Sequence, residues 1–93
     1  DDCYELTLLR QFRDGWLALQ PSGEKLIREY YRVAPLIVDA LSVSEERNAI
    51  YQDIWNCYIV PCVKLIEQND YQACCELYQN MVRNLKKTIL KEN

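Results

Sequence analysis

The chain contains no histidine, so no side chain titrates near neutrality, and the commonest general base and metal ligand is missing. It has only two glycines and three prolines. The turns of an all-β sandwich or barrel therefore lack their usual chemistry, and long helices with few breaks fit better. Apolar runs such as Ile59-Val60-Pro61-Cys62-Val63 fall far short of the ~20 residues of a membrane span, and no signal-peptide pattern opens the chain. There is no Gly-rich phosphate loop, no Ser/His/Asp arrangement and no pair of carboxylates flanking a legible cleft. The expectation is a non-enzymatic protein without catalytic, cofactor-binding or metal-ligating residues, and without a membrane partner.

Fourteen acidic residues against eleven basic ones give a net charge of −3, a poor match to nucleic acid. Five cysteines, Cys3, Cys57, Cys62, Cys74 and Cys75, are an odd number in a chain long enough to have its own core. That argues against a secreted disulfide scaffold and for a reducing, cytoplasmic setting. With 49% hydrophobic and 27% charged residues the chain should fold, and its length makes residues 1–93 one domain. The opening Asp1-Asp2-Cys3, without an initiator methionine, leaves room for an upstream segment.

Apolar spacing divides the chain into four helical segments. The first, from about Cys3 to Leu19, places Leu6, Leu8, Leu9, Phe12, Trp16, Leu17 and Leu19 on one half of the cylinder. Gln20-Pro21-Ser22-Gly23 ends it, with Ser22 as the next N-cap. The second, Gly23 to Leu41, turns Leu26, Ile27, Tyr30, Tyr31, Val33, Ile37, Val38 and Leu41 inward, and Pro35 should kink it. Ser42-Val43-Ser44-Glu45 has capping-box spacing and should start the third helix, which runs to about Glu67 with a kink at Pro61. Its broad arc, including Ile50, Tyr51, Ile54, Cys57, Tyr58 and Cys62, suggests the central helix. Asn69-Asp70 marks a turn, and Tyr71 to about Leu90 forms the cleanest amphipath, with Cys74, Cys75, Tyr78, Met81, Val82 and Leu85 on its stripe. Short connections predict an all-α, antiparallel four-helix bundle of up-down-up-down topology.

The stretch Leu9-Arg10-Gln11-Phe12-Arg13-Asp14, then Gly23, then Tyr30-Tyr31-Arg32-Val33-Ala34-Pro35, resembles a bacterial domain often found at protein C-termini and named for a Cys-Phe-Ile box. The resemblance covers about the first 36 residues. The box itself lies upstream of the Phe-Arg-Asp motif and is absent here, Cys3-Tyr4-Glu5 departing from it. The resemblance implies a bacterial, helical scaffold and carries no activity.

Three groups of residues invite a functional reading. Arg13 falls inside the apolar arc of the first helix and Glu29 inside that of the second, so a register-setting ion pair between them is expected, with anion binding by Arg13 as the alternative. Tyr30 and Tyr31 are adjacent on a helix and cannot both enter a core, which makes them candidate partner or ligand contacts. Cys62, Cys74 and Cys75 read as buried, reduced hydrophobes, because Cys57-x4-Cys62 and Cys74-Cys75 match no zinc spacing; Cys3 is the candidate reactive thiol. The basic C-terminal turn, Arg83, Lys86, Lys87 and Lys91, is what a helix dipole favours. The chain thus reads as a helical interaction module for a protein partner or a second copy of itself, with a thiol-dependent redox or metal-binding domain as the rival.

Overall fold

The computed structural model describes residues 3–92 and is helical, with no strand among those residues. Helix α1 spans Tyr4–Gly15 and is followed by a 3-10 turn, Leu17–Leu19. Helix α2 spans Gly23–Leu41, α3 Arg47–Ile54, α4 Val60–Glu67 and α5 Tyr71–Thr88. A π-helical turn, Trp55–Ile59, joins α3 to α4, so the chain has four helical stretches, as the apolar spacing predicts. Among the described residues no helix is long and apolar enough to cross a membrane.

The boundaries that moved did so for local reasons. Helix α1 stops at Gly15 rather than Leu19, and the Trp16 carbonyl accepts from both the Leu19 N–H at 3.1 Å and the Gln20 side-chain amide at 3.0 Å. Leu19, expected in the core, is consequently 77% exposed. Ser22 does occupy the N-cap of α2, but its side chain makes no capping bond. Ser42 is not the N-cap of the third helix: its hydroxyl donates backward to the Asp39 carbonyl at 2.6 Å, closing the end of α2. The next helix begins only at Arg47, after Ser44 Oγ has accepted from the Glu46 N–H at 3.1 Å. Asn69 adopts a left-handed φ of 59° at the end of α4, and the Asp70 N–H reaches back to the Leu65 carbonyl at 2.8 Å. Asp70 then caps α5, accepting from the Ala73 N–H at 3.2 Å.

The prolines act differently from one another. Pro35 lies within one unbroken helix. Ahead of Pro61 the backbone widens, and the Val60 N–H bonds to Trp55, five residues back. A proline ring would collide with the carbonyl four residues earlier in a regular helix, and a π turn makes room for it. The extra residue advances everything downstream by about 100° relative to an unbroken helix. Cys57, expected on the apolar arc, lies within this turn and is exposed, while Val63, downstream of it and absent from that arc, is buried at 6% exposure.

Two clusters make the core. Phe12, Leu17, Cys62, Ile66, Cys74 and Cys75 form one; Val33, Ile37, Leu41, Met81 and Val82 form the other. Helix α5 contributes to both, so it is the central element in place of the third helix. Tyr78 packs against both clusters and donates its hydroxyl to the Leu26 carbonyl at 3.2 Å. Helix α1 packs on α4, α4 on α5, and α2 on α5. Helices α1 and α2, consecutive in sequence, make little backbone contact with one another and are tied together chiefly through the Leu17–Leu19 turn.

Candidate functional site

Because α1 leans on α4 while α2 leans on α5, a cleft of about 360 Å³ opens between them. Its walls come from Leu6, Leu9 and Phe12 of α1, Ile59 of the π turn and Met81 of α5, with Cys62 and Cys74 at its base. Arg10, Arg13, Tyr30, Tyr31 and Tyr78 supply the remaining polar groups, and no carboxylate lines it. A second, open groove of about 510 Å³ runs from the same two tyrosines along the outer face of α2, past Ala34, Pro35, Val38, Asp39 and Ser42.

Arg13 and Glu29 do not form the expected pair. Arg13 Nε donates to Asp14 Oδ1 at 2.7 Å, Nη2 donates to Asp14 Oδ2 at 3.1 Å, and Nη1 donates to the Tyr31 hydroxyl. The guanidinium carbon also stands 5.9 Å from the centroid of the Tyr31 ring. Its hydrogen bond with Arg13 holds the Asp14 carboxyl below the usual range. Glu29 instead binds Arg32 through both oxygens, at 2.9 and 3.0 Å, and accepts from Lys86 Nζ at 2.6 Å. Arg32 goes on to Glu92 at 2.9 Å, so a chain of four charges laces α2 to α5 and its C-terminal extension. The Arg32 and Lys86 hydrogen bonds bring the Glu29 carboxyl down to about 2. A wheel of Cα directions missed this because long side chains carry their charges to the rim while their stems stay on apolar surface. Lys86 was legible only as part of a basic terminus.

Tyr30 and Tyr31 separate as their adjacency requires, yet both stay at the cleft mouth. Their rings meet edge to face at 5.5 Å, and Tyr30 also lies 6.0 Å from Tyr78. Tyr31 is 53% exposed, so its expected inward place, like that of Val38, is not the one it takes. Burial pushes the Tyr78 phenol up, and its neighbour Tyr30 adds to this.

All five cysteines are free, and Cys62, Cys74 and Cys75 are buried as their apolar stripes predict. The Cys62 thiol donates to the Cys74 carbonyl oxygen at 4.0 Å. The neighbouring Cys62 thiol and burial push the Cys74 thiol well up. Cys3 is half-buried at the N-cap of α1. Among the described residues no group of three or more cysteines and carboxylates could hold a metal ion. The wall residues Leu6, Ile59 and Met81 were invisible as site residues, since in sequence they are ordinary members of apolar stripes. Comparison with protein-family models, curated proteins and solved structures finds no match to this chain.

Proposed function

We propose that the chain is a non-enzymatic helical interaction module that docks a protein partner through the outer face of α2, a second copy of the chain being the first partner to test. The observation that carries this is the exposure of Tyr31 and Val38, 53% and 56%, beside Pro35 in one open groove. Pro35 cannot donate to the Tyr31 carbonyl, which leaves a backbone acceptor without its helical donor on the same surface. Sedimentation velocity over a concentration series tests the reading. A monomer–dimer equilibrium that Val38→Asp abolishes, with the melting temperature unchanged, is the expected result. A chain that stays monomeric throughout and ignores the substitution removes self-association from the proposal.

The same proposal includes a cytoplasmic setting, an antiparallel course of the helices with bends at Pro35 and Pro61, and membership of the Cys-Phe-Ile box family. In support of the last, the residues of the resemblance converge in space: Phe12 is in the core, Gly23 is pressed against the Leu17–Leu19 turn, and Arg13 meets Tyr31. The thiol reading is favoured by one observation, the Cys62 thiol resting on the Cys74 backbone in one buried cluster, rather than by Cys3. A hydroperoxide would oxidise one thiol to a sulfenic acid and leave as an alcohol; the other thiol would then displace water to close a disulfide. Peptide mapping after peroxide treatment decides it, since a Cys62–Cys74 cross-link is required.

A further inference from the structure

We infer that the cleft between α1 and α2 is a binding site for a small amphipathic carboxylate, its acid group held at Arg13, Tyr30 and Tyr31 and its apolar tail lying against Leu9, Ile59 and Met81. This cleft shares Tyr30 and Tyr31 with the α2 groove, but the rest of its lining is separate and the inference does not depend on self-association.

The polar side of the argument is an inventory of hydrogen-bonding groups. A guanidinium has five N–H donors. Asp14 and Tyr31 take three of Arg13's, leaving two on the Nη atoms. Tyr31 accepts from Arg13, so its own hydroxyl hydrogen is left to donate. The Tyr30 hydroxyl donates to no acceptor among the described residues. These groups line one cleft in which no carboxylate answers them. Unused guanidinium N–H groups beside phenol hydroxyls suit an anion, and the planar fork of an arginine suits a carboxylate. Asp14 offsets part of the Arg13 charge, but it lies outside the cleft lining and, with Tyr31, leaves two of the guanidinium N–H groups unused.

The apolar side sets the rest of the ligand. Apart from the two arginines and three tyrosines, the lining is hydrocarbon, aromatic and the sulfur atoms of Cys62, Cys74 and Met81. A cavity of about 150 Å³ in an apolar core takes benzene, and this one is more than twice that volume, so about a dozen non-hydrogen atoms fit. Its size also falls within the ~300–1,000 Å³ range of small-molecule sites. Nucleotides and sugar phosphates suit it poorly, since their polar atoms would have no partners along the walls.

The test uses the native chain and three ten-carbon probes, decanoate, decanol and decylammonium, followed by NMR titration. Decanoate is expected to bind with saturation and to shift resonances of Leu9, Ile59 and Met81, with decanol weaker and decylammonium weakest. Losing a charge-assisted hydrogen bond costs about 1.5–3 kcal/mol, so Arg13→Gln should weaken decanoate about tenfold or more while leaving decanol unchanged. Tyr31→Phe, which deletes one hydroxyl and little else, should weaken decanoate by a smaller factor and serves if Arg13→Gln lowers stability. Equal affinity for decanoate and decanol, preference for decylammonium, or no binding of any probe would overturn the assignment. Sedimentation without any probe reports on self-association separately, so each proposal can fail alone.

Discussion

Gly23 lies so close to the Leu17 carbonyl that a β-carbon on it would stand 1.7 Å from the carbonyl oxygen. The neighbouring atoms are also backbone, Leu17 C at 2.7 Å and Ala18 Cα at 3.3 Å, so no rotamer change relieves the collision. This contact fixes how α2 leaves the 3-10 turn and hence how wide the cleft stands.

Gly23→Ala should therefore cost about 3 kcal/mol or more, because backbone must move to admit one methyl group. Gly15 has nothing within 4 Å of its virtual β-carbon and lies in helical backbone, so Gly15→Ala should be neutral or stabilise by about 0.5–1 kcal/mol. Urea denaturation of the two variants gives the comparison, and similar losses at both positions would contradict it.

Arg13 and Glu29 belong to separate networks, so Arg13→Ala and Glu29→Ala should behave additively in a double-mutant cycle, within ~0.3–0.5 kcal/mol. Both side chains are about a third exposed, and each single loss should be small, as for a solvent-screened surface pair. A coupling above about 1 kcal/mol would restore the direct pair.

Acid should loosen the link between α2 and α5. Glu29 ionises near 2 in the folded chain against an ordinary value of 4.5, so the unfolded chain binds more protons between those limits. Its contribution is complete above about pH 4.5 and disappears as pH falls through about 2. Glu29→Gln should flatten that limb of the stability–pH curve. Carboxyl NMR titration reads the Glu29 midpoint directly, and a midpoint near 4.5 would show that the network does not form in solution.

Alkylation of the native protein should rank its thiols by exposure: Cys57 first, half-buried Cys3 second, and Cys62, Cys74 and Cys75 only when the core opens. Timed labelling with peptide mapping tests the order. Early modification of Cys74, which is fully buried, would mean that the two core clusters separate readily.

Some features needed no tertiary information. The stripe of α5 was legible residue by residue because Asp70 starts the helix cleanly and no proline interrupts it. The buried thiols followed from that stripe and from the downstream part of the third helix. Val63 and Cys57 were misplaced because a wheel of constant pitch cannot register the extra residue that Pro61 demands. Tyr31 and Val38 were placed inward because α2 is apolar over a wider arc than its neighbours cover.

What the sequence determined by itself is the class of the protein: few glycines, scattered prolines and a period near 3.6 specify helices, and helix formation is governed by neighbours within four residues. Which helices lie together, which charges meet and where a cleft opens were decided only in three dimensions. Arg13 illustrates the division. Its position on α1 is written in local periodicity, but its contact with Tyr31, eighteen positions away, exists because α1 rests on α4, α2 rests on α5, and the Leu17–Gly23 contact holds the two pairs at that separation. Packing of this kind depends on summed surface shapes across distant segments, and no window along the chain contains that sum.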